Sequence, residues 1–263
     1  MQWWCAAQGI PWSWSWRAYP GVWLFIVLVT LIYLRGGRAR EGEFSRQRLA
    51  FAAGILTLWA ALDWPIGALG SGYLASVHMV QFVLIALVAP PLLLLGVPGP
   101  WFVRIADRRL LSAVLARLTH PLFALILFNV AVAVTHWPAV VDGLMASQLG
   151  SFAIDMAWLG SGILMWWPIV CPVPERRFPY PLKIGYLLLN TVLNTAPYAF
   201  LTFGELPFYA TYELAPRIGT ISAQGDQRVA GLVMKLGSGV VFWTAIGILF
   251  YRWWRTEEAE TTA

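Results

Sequence analysis

Charge is scarce in this sequence. Only 12% of its 263 residues are Asp, Glu, Lys or Arg, and 59% are hydrophobic, against about 25% charged in ordinary soluble domains. So few charges do not build the polar shell that a soluble chain of this length needs. Histidine occurs three times and cysteine twice, as Cys5 and Cys171, with no CxxC spacing. No HExxH, no GxSxG with a triad order and no phosphate-cradling glycine loop is present, so nothing reads as a hydrolase or an NTPase. The chain is expected not to be an enzyme, and no soluble small-molecule substrate is evident. The opening "MQWWCAAQGIPWSWSW" has neither a basic n-region nor an uninterrupted apolar core, unlike a cleaved signal peptide.

Long apolar runs are what the sequence has instead. A spanning helix takes about 20 mostly apolar residues, and seven candidates run over 20–34, 49–70, 73–97, 119–138, 151–170, 184–206 and 229–251. The runs are continuous rather than alternating, which points to helices and away from a barrel. Many of the 16 tryptophans stand near their ends, where an amphipathic ring suits the headgroup region. The expected fold is all-α: a polytopic membrane helical bundle of about seven transmembrane helices, forming one integral membrane domain over 1–263.

The basic residues orient it. Residues 35–48 hold Arg35, Arg38, Arg40, Arg46 and Arg48, and residues 98–118 hold Arg104, Arg108, Arg109 and Arg117. Residues 171–183 add Arg176, Arg177 and Lys183, and the tail adds Arg252 and Arg255, which brings these segments to 14 of the 18 basic residues. With seven spans all four segments share one side, so the positive-inside rule puts the N-terminus outside and the C-terminus in the cytoplasm. Cys5 and Cys171 then lie on opposite sides and do not pair. Arginines in short loops serve orientation, so nucleic acid is not an expected partner despite the net charge of +5. The segment 101–117, apolar on one face and basic on the other, is expected to lie on the cytoplasmic surface as an amphipathic helix. Residues 207–228 are expected to be an ordered outer loop.

On this topology the polar groups gather at the outer side. Asp63, His78, Gln81, His136, Asp142, Asp155, Asp226 and Lys235, with Glu205, fall in the outer third or its loops, and the inner two thirds hold almost nothing ionisable. Two readings stand at this point. Side chains near span ends reach water cheaply, and Lys235 would pair with Asp226 or Asp155 as a structural ion pair. Alternatively the belt is a site, because ionisable groups in hydrocarbon are costly. As a site its chemistry suits copper: thioether suits Cu(I), and imidazole suits either oxidation state. His78 and Met79 point about 100° apart on a helix, so they would not both chelate one ion on a regular helix.

Packing expectations accompany these. Gln81 shares a face with His78 and either orients its imidazole or bonds a neighbouring helix. Asn190 and Asn194 would satisfy each other or backbone freed by Pro197. Pro90-Pro91 should kink the third span. Gly231, Gly237, Ser238 and Gly239 would allow close helix approach. His120, before Pro121, reads as structural.

The stretch "HMVQFVLIALVAPPLLLLGVP" resembles the signature helix of the polytopic CtaG-type cytochrome c oxidase assembly factors. The resemblance continues through "THWPAVVDGLM", "GSGILMWWPIV", "YATYELAPRIG" and "GDQRVAGLVMK", covering spans three to seven in order. It implies a bacterial inner-membrane protein that helps mature a haem-copper oxidase, with copper handled on the outer side and oxidase subunits as partners. It also implies a second histidine four residues after His78 and an i, i+4 histidine pair opening the fifth span. Here those positions are Phe82, Ser151 and Asp155. The metal ligands expected are therefore His78 and His136, with Met79 and Asp155, or Met145 and Met156, as replacement donors. A metal-free scaffold or accessory subunit is the alternative, and an ion transporter using Asp63, Lys235 and Glu205 is a third.

Overall fold

The computed structural model describes residues 2–36, 43–99, 109–170 and 178–261, and every regular element among them is helical. Proline opens several helices, where its missing N–H costs nothing. α1 is Pro20–Gly36, α2 Glu43–Leu62 and α3 Ile66–Gly72. A single long rod follows, made of α4 (Ala75–Phe82), a π-helical turn over Val83–Val88 and α5 (Ala89–Gly96). Then come α6 (Arg109–Leu118), α7 (Pro121–Thr135), α8 (Pro138–Met145) and α9 (Gln148–Val170). The last four are α10 (Tyr180–Leu193), α11 (Thr195–Phe203), the short α12 (Ala210–Glu213) and α13 (Ala223–Thr261).

Three of these are long and apolar enough to cross a membrane: the rod Ala75–Gly96, α9 and α13. The number rises to five if each of two bent pairs is one span, α2 with α3 at 46° and α7 with α8 at 71°. Leu24, Leu28, Ile126, Val130, Val192, Phe203, Leu236 and Val240 all face outward. Apolar side chains in such numbers on the exterior suit hydrocarbon surroundings, not water. The amphipathic segment 101–117 is helical from Arg109 onward, and its first part, like Cys171, Arg38, Arg40, Arg104, Arg108, Arg176 and Arg177, lies outside the described residues.

Pro90 and Pro91 follow directly on the π-helical turn. Proline lacks the N–H that would bond the carbonyl four residues back and its ring crowds that carbonyl. The chain answers with the π turn, whose wider spacing is seen in the bond from Ala89 N–H to Leu84 C=O. The carbonyl that Pro90 leaves free is that of Ala86, and α9 packs against it at Gly162. A Cβ on Gly162 would stand 2.3 Å from Ala86 O. The rod is the centre of the bundle, with α2 along its α5 half, α13 along its α4 half and α9 across its middle.

Residues 2–19 have no helix but fold back over one end of the bundle. The Gln148 side chain accepts from Trp3 N at 2.6 Å and Trp4 N at 3.3 Å, Ala7 N donates to Met145 O, and Tyr73 Oη donates to Ile10 O. Trp4 is 1% exposed. Burial pushes the thiol of Cys5 well above its usual range.

Candidate functional site

α4 begins beside Leu74, which offers no side-chain cap. Asp226 of α13 supplies one across space: its carboxylate accepts from Ala75 N at 2.6 Å, Ser76 N at 3.3 Å and the Ser76 hydroxyl. The same carboxylate lies in the first turn of α13, so one negative charge faces two positive helix ends. This contact fixes the end of the helix that carries His78.

His136 arrives by a different local rule. Pro138 opens α8 with Trp137 extended before it, so α7 stops at Thr135 and His136 becomes its C-cap. Its Nδ1 lies 2.8 Å from Val132 O, and its own carbonyl accepts from Tyr209 Oη at 2.9 Å. Both ends of the residue are thereby held.

The two imidazoles meet inside the bundle. Their ring centres are 6.5 Å apart, and both residues are buried. Trp158 of α9 closes one side, stacked on His136 at 5.6 Å and 4.9 Å from the His78 ring. Its indole N–H donates to Thr135 Oγ1 at 2.8 Å, which fixes the ring. Phe82 sets its edge against His136 at 5.0 Å, and Tyr212 lies 5.8 Å from His78. Among the described residues no hydrogen-bond partner reaches either nitrogen of His78 or Nε2 of His136. Orphaned buried nitrogens are costly and uncommon.

The aspartates of the expected belt are bonded to other partners, and Glu205 is exposed. Asp63 accepts from the indoles of Trp23 and Trp59 at 2.8 and 2.7 Å and from Trp64 N at 2.9 Å. Asp155 accepts from Trp4 Nε1 at 2.7 Å. Asp142 accepts from Ala210 N, Thr211 N and the Thr211 hydroxyl, capping α12. Among the described residues no three His, Cys, Asp or Glu side chains converge as a metal cluster. Met79 is fully buried one position beyond His78, and Met145 accepts a long contact from Ser151 Oγ at 3.5 Å.

Several packing expectations change. Lys235 pairs with neither Asp226 nor Asp155; its ammonium lies 3.5 Å from Thr195 Oγ1 and 4.7 Å from the centre of the Tyr198 ring. Gln81 takes the second of its two expected roles, donating to Ala61 O of the neighbouring α2 and not to His78, with its amide against Gly70. The Asn190 side chain donates to Tyr186 O and accepts from Asn129, so the two amide side chains do not bond each other, although Asn194 N donates to Asn190 O at 3.1 Å. Gly231 and Gly237 do lie in close packing, but a Cβ on Gly239 would meet nothing within 4 Å.

Trp158, Tyr212 and Tyr209 are the residues that sequence reasoning passed over. Trp158 stands three positions after Asp155, on the same helix face, which is the signal that would have found it. The two tyrosines come from the loop after α11, and only contacts made in three dimensions bring them here. Burial raises both phenols above their ordinary range, so both remain protonated donors. Tyr212 donates to Gly70 O at 2.7 Å.

The pair offers three imidazole nitrogens that no partner reaches among the described residues. A metal bonded to one nitrogen of each ring at about 2 Å spans rings whose centres lie 6.5 Å apart. Cu(I) accepts two such donors in apolar surroundings.

No solved structure matches this chain. Two curated proteins do, an uncharacterized protein of Mycobacterium bovis and another of Mycobacterium tuberculosis, each 27% identical over 204 residues. Each alignment covers 64% of this chain and 29% of the relative. The chain thus spans well under half the length of these relatives. The family described as cytochrome c oxidase caa3 assembly factor matches residues 7–256, through the helices that carry His78 and His136, and the chain belongs to that family.

Proposed function

We propose that this chain assists the assembly of a haem-copper cytochrome c oxidase by binding copper near the outer face of a bacterial inner membrane and passing it to an oxidase subunit. The observation that carries the reading is the imidazole pair, with three buried nitrogens that have no partner among the described residues. His78 and His136 are the ligands. Met79 beside His78, and Asp155 one turn before Trp158, are the further donors in reach of substitution tests. The proposed topology has seven spans, with α1 and the α10–α11 pair added to the five apolar candidates, the N-terminus outside and the C-terminus in the cytoplasm. Reporter fusions at the two ends test that orientation.

The test of the metal is direct. Detergent-purified protein in reducing buffer should bind about one Cu(I) in competition with a coloured chelator, and His78→Ala with His136→Ala should abolish it. Phe82→His should strengthen binding about tenfold or more, because it restores an i, i+4 pair on one helix face. No detectable copper in the wild type ends the ligand claim.

One observation favours a second reading. Phe82 fills, edge-on to His136, the side of the cluster where the resemblance leads one to expect another imidazole. A metal-free scaffold would bind the oxidase through its membrane faces. Oxidase co-purification that survives both histidine substitutions, with no copper bound, would support it.

A further inference from the structure

Lys235 raises a question that neither reading answers. It lies twelve residues into α13, about 18 Å along the axis. Its ammonium does not stretch toward the helix end, since it is held at Thr195 Oγ1 and over the Tyr198 ring. Among the described residues no carboxylate pairs with it. Lys235 is half-buried, and an ammonium partly withdrawn from water is stabilised by a counter-charge.

Beside it is a small cavity between α10, α11 and α13, of about 10 Å³. That is the room one water-sized particle needs. Asn194 and Ser238 also line it, each only 6% exposed. Neither the amide of Asn194 nor the hydroxyl of Ser238 has a hydrogen-bond partner among the described residues. Two buried orphans and an unneutralised cation thus share one cavity. The wall offers N–H and O–H donors, one positive charge and, on Asn194, an amide oxygen that must turn away from an anion, and among the described residues no acid lines it. Met234 and Phe242 complete it with apolar surface.

We propose that this cavity binds one small monovalent anion of the chloride class, against the Lys235 ammonium, the Asn194 amide N–H and the Ser238 hydroxyl. A neutral water would satisfy the two orphans but leave the charge. A cation is excluded by Lys235 itself. Sulfate and larger oxyanions exceed the space, whereas the flexible Lys235 stem yields enough for an ion slightly larger than water. A carboxylate on a partner's helix would have to reach donors that are more than nine-tenths buried. The site binds α10, α11 and α13 together and does not depend on copper.

The test uses the full chain in neutral detergent, comparing thermal unfolding in sodium chloride, bromide, gluconate and sulfate at matched ionic strength. Chloride and bromide should raise the midpoint saturably, by about 3 °C at full occupancy, and gluconate and sulfate should not. Lys235→Met should lose the chloride response. Ser238→Ala should keep it but require about tenfold more chloride, corresponding to one lost donor, and serves alone if Lys235→Met fails to fold. Equal midpoints in all four salts would overturn the proposal. So would a chloride response unchanged in both variants, which marks a general salt effect. Chloride insensitivity, together with loss of oxidase co-purification in Lys235→Met, would also overturn it and assign Lys235 to a partner's carboxylate.

Discussion

The carboxylates and the imidazoles of this polar layer are buried to similar degrees and treated in opposite ways. Asp63 and Asp226 each collect three donors, and Asp155 takes an indole N–H. Among the described residues His78 has no partner at either nitrogen, and His136 is held through Nδ1 with no partner at Nε2. Groups that serve the fold are saturated with hydrogen bonds. Groups left unsaturated at comparable depth are available to something else, and they lower the stability of the fold rather than raise it.

Substitution can break that contrast. Removing a saturated carboxylate should cost most: Asp226→Ala strips the donors at the start of α4 of their acceptor. It should lower stability by about 3 kcal/mol, read as a fall in the unfolding midpoint of the detergent-solubilised protein. Trp4→Phe keeps the ring's bulk but leaves the Asp155 carboxylate without its donor, for about 1–2 kcal/mol. The smallest effect belongs to the imidazole. His78→Leu keeps an apolar volume and removes two orphaned nitrogens, so stability should move by less than about 1.5 kcal/mol while copper binding disappears. A loss at His78 as large as that at Asp226 would erase the distinction.

The parts of the molecule governed by local rules could be read from the sequence. Continuous apolar runs marked the rod, α9 and α13, and Pro138 marked the turn that leaves His136 at a helix end. The sequence put His78 and His136 near span ends expected to share a side, and the structure brings their rings within 6.5 Å. What stayed hidden depends on contacts between distant segments. Trp4 reaches Asp155 across 151 positions, and Asp226 caps α4 across a similar separation. The expected ion pair of Lys235 failed for the same reason, since each acid was already claimed by a donor that no spacing rule relates to it. The N-terminal segment read only as unlike a signal peptide, and its burial follows from Gly21, Gly67 and Gly72 admitting its backbone and side chains closely.

The π turn over Val83–Val88 has a consequence for how the central rod is counted. A turn with more residues than 3.6 changes the angular phase of all that follows. His78, Gln81 and Phe82 therefore run on one clock and the prolines of α5 on another, and a helical wheel drawn through both mislabels half the positions. Deleting one residue from the turn would leave the composition of the rod nearly untouched. It would swing the imidazole end by roughly 100° relative to the Ala86–Gly162 contact. The prolines near one end thus set the aim of a histidine near the other, as the bezel of a dial sets its pointer.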